Sequence, residues 1–296
     1  MIGILLLPLF AAAVVYLAGR KDTARDPRMT IFLLALLVAY PLVAVFAPKL
    51  VVVPAGIASA DTTATSVFSV AITIWAAGSA VVLLRLAIAS LLLRRTIARA
   101  TEVRRIGRVS IRESADVDGP VAAGILRPAV LLPVSWRSWG DAERNVVLSH
   151  ELAHHRRRDP LLRLIAEIAR TIYWFHPPVH WMAARFAAQS EFACDELVVR
   201  SGIEPKHYAT ILCDFAETRL RSRLAFAMAD GRPLESRVRR ILRPATPSGT
   251  ASLVLLAVLA GLGAGLFAIS GSQREIPVPA DEVELRLSAD PFPGND

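Results

Sequence analysis

Four stretches of this chain are nearly unbroken runs of apolar residues, 2–18, 29–47, 65–84 and 252–270, and between the third and fourth the pattern changes character. Each run is close to the ~20 residues that a helix needs to cross ~30 Å of hydrocarbon. The intervening segment first alternates, as strands do. Residues 109–113 and the short apolar run 129–132 read as strands, punctuated by Gly119-Pro120, Arg127-Pro128 and Pro133. It then turns to helical periodicity. The spacing predicts one helix over 141–157, stopped by Asp159-Pro160, a second over 160–174, broken by His176-Pro177-Pro178, and a third from Pro178 to just before Gly202. On the second, Arg163, Glu167 and Arg170 are spaced for pairing within the helix and are too charged for a spanning segment.

Composition agrees with a chain partly dissolved in lipid, because 54% of its residues are hydrophobic and its mean hydropathy is +0.45. Charge then orients it. Arg20, Lys21, Arg25 and Arg28 follow the first run, the second loop is nearly uncharged, and Arg94, Arg95, Arg99, Arg104, Arg105 and Arg108 follow the third. Arg237, Arg239, Arg240 and Arg243 precede the fourth, whose tail is mainly acidic. Basic loops stay cytoplasmic, so the expectation is a multi-pass protein of a bacterial inner membrane with both ends outside and a large cytoplasmic segment. The first run lacks a basic leader and reads as a spanning helix rather than a cleaved signal. The net charge of +8 falls at membrane exits, with no helix-turn-helix pattern, so the partner is the lipid bilayer and no direct nucleic-acid contact is expected. Residues 237–242 read equally as a basic amphipathic segment on the inner leaflet or as a solvated linker. Cys194 and Cys213 lie in the cytoplasmic segment, where no disulfide is expected, and Cys194 reads as a small buried helix residue.

The chemistry is concentrated in His150-Glu151-Leu152-Ala153-His154. A spacing of four places both imidazoles on one helix face, one turn apart, where they can reach a single ion. Zinc held by three protein groups keeps a position for water and lowers its pKa to about 7, leaving Glu151 to act as the base. A glutamate on a long helix is ordinarily a solvated residue. With the paired histidines nearby, Glu191 is read as the third ligand, and Asp195 on the same face as a hydrogen-bond acceptor for a ligand histidine. Asp159 reads equally as a brace for a ligand histidine or as a helix stop. His155, about 100° from His154 around the helix, is not expected to be a ligand. His176 and His180 read as capping or packing residues, and His207 and Tyr208 carry little signal.

Gly119 through Pro133, Ser149 through Asp159, Tyr173 through Pro178 and Glu191 through Asp195 together resemble the BlaR/MecR-type integral-membrane zinc metallopeptidases, an antirepressor family. The resemblance implies that His150, His154 and Glu191 bind Zn2+ and that Glu151 is the catalytic base, in a gluzincin-like domain fused to membrane helices. The fold class expected is thus a multi-span α-helical membrane protein with an inserted α+β gluzincin-like zinc metallopeptidase domain. Its parts are three spans within 1–93, a cytoplasmic peptidase domain at 94–248, a fourth span at 249–271 and a short periplasmic tail at 272–296. In the sensor branch of that family a penicillin-binding domain follows the last span, and its acylation activates proteolysis of a repressor. The tail here has no room for that domain and no Ser-x-x-Lys motif, so the expectation is a chain without it, served by a separate periplasmic sensor. The substrate class implied is a protein, a transcriptional repressor or the chain itself. The competing expectation is a signalling scaffold whose zinc domain binds a partner without cleaving it; retention of Glu151, which zinc binding does not need, argues for the enzyme.

Overall fold

The structure, a computed structural model, describes residues 2–20, 27–46, 62–222 and 232–243. The expected fourth span and the tail lie outside the described residues. What is described is mostly helical with one small sheet. The apolar runs form α1 (Ile2–Arg20), α2 (Pro27–Phe46) and α3 (Thr62–Arg99). Among the described residues one segment, Ser69–Arg99 of α3, is long and apolar enough to cross a membrane. Its 31 residues span about 46 Å, and large side chains such as Ile74, Val81 and Leu84 are more than half exposed along it. An apolar surface of that extent suits lipid better than water.

α3 runs almost directly into β1 (Thr101–Ile106), which turns back through Gly107 into β2 (Val109–Ser114). β3 (Val121–Ala123) and β4 (Ala129–Pro133) complete a sheet of order β1-β2-β4-β3, with β2 and β4 parallel and the other pairs antiparallel. Every residue of β4 is buried, as befits a central strand. The two strands at the sheet's edges were not signalled by the sequence. β1 is charged and largely exposed, and β3 has three residues, too few to show a period. Between β3 and β4, Gly124 sits at φ +80°, and a Cβ there would collide with the carbonyl of Arg127, so the turn requires glycine.

The helices α4 (Asp141–Arg156), α5 (Asp159–Ile172) and α6 (Pro177–Arg200) start and stop close to the predicted boundaries. Glu143 caps α4 by accepting a hydrogen bond from the Gly140 amide at 3.0 Å. Two residues join α4 to α5, and Arg158 makes that turn in the left-handed region, at φ 59°. α7 (Pro205–Ser222) and α8 (Arg232–Leu242) follow. The sequence left residues 237–242 as a basic amphipathic segment on the leaflet or a solvated linker; they form an amphipathic helix, and its packing corrects the linker reading. Ile241 is buried with Val146, Val198, Tyr208 and Ile211, which makes α8 part of the core.

A second core joins α1 and α2 to α5 and α6. Val15, Leu34 and Leu37 meet Tyr173, Met182 and Phe186, and all six are essentially inaccessible. Two polar pins cross that contact: the Tyr173 hydroxyl donates to the Leu37 carbonyl at 3.0 Å, and Thr30 Oγ1 donates to Gln189 Oε1 at 2.8 Å. α3 joins where the Trp75 indole donates to the Ile172 carbonyl at 2.9 Å and where Gly78 lies flat against the Trp174 ring. There is no room for a side chain between them. Gly78→Leu should therefore lower the thermal midpoint of the detergent-solubilised chain by roughly 2–10 °C, the effect of an overpacking cost of ~1–3 kcal/mol. An unchanged midpoint would show that α3 does not pack there.

Candidate metal centre

α4, α5 and α6 bring their polar residues to the floor of an open cleft of about 500 Å³. One wall includes Val121 and Ala122 of the edge strand β3; another includes Val146, Ile211 and Phe215. His150, Glu151, His154, Asp159 and Glu191 all line it. His150 and His154, one turn apart on α4, stand edge to face with ring centroids 4.8 Å apart. Both point their Nε2 atoms at Glu191 on α6: His150 Nε2 is 3.4 Å from Oε2, and His154 Nε2 is 3.5 Å from Oε1. The three donor atoms lie within 4.8 Å of one another. Ligands ~2.0–2.1 Å from a tetrahedral ion stand about 3.4 Å apart, so the donor set fits zinc in both chemistry and spacing.

Each imidazole is fixed from behind. His154 Nδ1 is 2.8 Å from Asp159 Oδ2, which also accepts from Arg157 Nε at 3.3 Å. Burial alone would raise the Asp159 carboxyl, but the His154 bond and the Arg157 charge outweigh it and hold it below its ordinary range. An ionised Asp159 accepts, so His154 Nδ1 is the donor to it and Nε2 is the nitrogen left to meet an ion. Behind His150 stand Asp195, 3.4 Å from Nδ1, and Tyr208, whose hydroxyl is 3.0 Å from the same atom. Tyr208 donates its one proton to Asp195 Oδ1 at 2.6 Å, so toward His150 its oxygen is the acceptor. His150 Nδ1 is therefore also a donor.

Two arginines complete the network. Arg237 of α8 forks onto Asp195, Nε to Oδ2 at 2.8 Å and the terminal nitrogen to Oδ1 at 2.7 Å, and approaches Glu191 Oε2 at 3.3 Å. Arg163 of α5 donates to Glu191 Oε1 at 2.8 Å rather than pairing within its own helix as its spacing predicted. Glu167 pairs with Arg170 instead, at 2.8 Å. Arg163 faces the cleft, where the half-buried Glu191 carboxylate attracts it more strongly than the more exposed Glu167 does. Burial opposes ionisation of Glu191, yet the His150 bond and the His154 and Arg237 charges hold it far below the ordinary carboxylate range. Burial likewise opposes charge on His150, but the Glu191 bond and the carboxylates of Glu151 and Asp195 raise it.

Other residues that the sequence singled out fall outside the donor set. His155 turns away and bonds the Ala129 carbonyl at 3.0 Å, tying α4 to the sheet. His180 braces the turn before α6 through the Trp174 carbonyl at 2.9 Å, and His176 occupies the N-cap of that helix. Cys194 is fully buried, 3.3 Å from His154 Nδ1, and burial and the Asp159 charge push its thiol up. Tyr208 and Arg237 were missed as members of the site.

The helical scaffold and its histidine–carboxylate cleft define a metallopeptidase-like protein. The profile of the BlaR1 peptidase M56 family matches residues 38–241, and the chain belongs to that family. The chain is 25% identical over 191 residues to the regulatory protein BlaR1 of Bacillus licheniformis, covering 60% of this chain and 32% of that one. It is also 25% identical over 93 residues to the methicillin resistance mecR1 proteins of Staphylococcus aureus and Staphylococcus epidermidis, covering 31% of this chain and 16% of each. The chain thus spans a third or less of the length of these relatives.

Proposed function

We infer that this chain is a membrane-embedded zinc endopeptidase of a bacterial inner membrane, multi-span and gluzincin-like in its catalytic part, that cleaves a protein in signal transduction. The observation that carries this reading is the convergence of two imidazole Nε2 atoms on the two oxygens of Glu191 at the floor of a cleft edged by a strand. His150, His154 and Glu191 would hold the ion, with Asp195 and Asp159 orienting the imidazoles. Zinc there would supply Lewis-acid polarisation of the scissile carbonyl and of the attacking water. Glu151, buried on the same turn of α4 and lining the cleft, takes the water's proton and returns it to the departing amine. β3 has β4 on one side and the cleft on the other. Its remaining edge suits an extended substrate backbone laid alongside as an added strand, with the scissile bond above α4.

The names of the relatives, a regulatory protein and methicillin resistance proteins, support a role in regulation; the substrate of this reading is a protein, a transcriptional repressor or the chain itself. The test compares protein amino termini in cells carrying the wild-type chain and the Glu151→Gln variant. Termini present only with wild type are expected, and they name the substrate. Identical sets under several envelope stresses would overturn the protease reading in favour of a zinc-dependent scaffold.

A further inference from the structure

α8 is remote in sequence from the helices of the metal centre, yet it supplies the cation to which Asp195 is bound, 42 residues away. The Arg237 side chain is 18% exposed and that of Asp195 4%, and the two meet through a planar fork on both carboxylate oxygens. A carboxylate so deeply placed needs such a partner. The fork also fixes which way the carboxylate faces. In that orientation Oδ1 receives the Tyr208 proton, and the phenol oxygen is left to accept from His150 Nδ1. With Nδ1 so engaged, Nε2, 3.4 Å from Glu191 Oε2, is the His150 nitrogen left to meet an ion. α8 in turn is seated by Ile241 in the core and by Arg240 stacked 4.9 Å above the Phe192 ring.

We propose that Arg237 is a positioning residue of the metal centre: by orienting Asp195 it sets, through Tyr208, the tautomer and direction of the His150 imidazole. The proposal rests on the reading of His150, His154 and Glu191 as a zinc site. It gives α8 a part in metal binding although α8 contributes no ligand.

The test measures zinc affinity of the full, detergent-solubilised chain by competition with a chromophoric chelator, and the visible spectrum of the cobalt-loaded protein. Arg237→Met is expected to weaken zinc binding by about 10–100-fold and to shift the cobalt bands, with Arg237→Lys intermediate. Tyr208→Phe, which removes no charge, is expected to cost about tenfold. Asp195→Asn combined with Arg237→Met should bind no more weakly than Asp195→Asn alone, because the two act in series. Circular dichroism of the metal-free variants serves as the check on folding. Wild-type affinity in Arg237→Met or Tyr208→Phe, tighter binding in Arg237→Met, or losses that multiply in the double variant would overturn the proposal. Loss of zinc in His154→Ala but not in Arg237→Met would spare the metal site and reject this role alone. A wild-type chain that binds no zinc would remove both.

Discussion

Purified Glu151→Gln protein is expected to keep its zinc and to cleave its substrate roughly 10²–10⁴-fold more slowly than wild type, the usual contribution of a positioned general base. The amide has nearly the shape of the carboxylate, so the buried site at 7% exposure can accept it without repacking. What the amide lacks is the capacity to take a proton. The imidazoles and Glu191 are untouched, and so is the network that orients them. Metal content by elemental mass spectrometry, measured beside the cleavage rate, separates the two effects. A loss smaller than tenfold with zinc in place would remove Glu151 from the role of base; a loss of zinc would make it a ligand or a strut.

Glu191→Ala should act on binding itself. If zinc binds with ~10–16 kcal/mol shared among three or four donors, one donor is worth about 4 kcal/mol, or roughly a thousandfold in affinity. The damage extends further, because Arg163 and Arg237 would then face the site without the carboxylate that now pairs with both. Their charges would repel a dication. Glu191→Gln keeps a neutral oxygen donor and should lose less. Full zinc occupancy in Glu191→Ala, measured by the same chelator competition, would mean that another residue is the third ligand.

The parts of this site that were legible in the sequence are those fixed by one helix. His150 and His154 share a face of α4 because their spacing is four, whatever packs around them. Glu191 and Asp195 share a face of α6 for the same reason. Asp159 could not be resolved between helix stop and histidine brace, since the contact depends on how Arg158 turns the chain, and a left-handed arginine leaves no pattern. Arg163, Tyr208 and Arg237 were misread or missed because each meets the site across a gap between elements that no local period encodes. Arg237 was further concealed by its neighbours. Four arginines before an apolar run look like a membrane boundary, and charge pattern alone does not separate an arginine facing phosphates from one facing a buried aspartate. The sheet was half legible: β2 and β4 carry apolar faces, while β1 and β3 are strands chiefly because of what they pair with.

The Thr30–Gln189 pin lies two residues from Glu191, and the Tyr173–Leu37 pin holds the neighbouring helix against the same face of α2. The half of this protein that carries the candidate metal centre is therefore not a portable unit. A piece beginning at β1 would contain His150, Glu151, His154, Glu191, Asp195 and Arg237. It would also carry a bare wall of Tyr173, Val179, Met182 and Phe186 where α1 and α2 had stood. The helices that look in the sequence like an anchor are, in the folded chain, the other side of the bearing on which Glu191 is mounted.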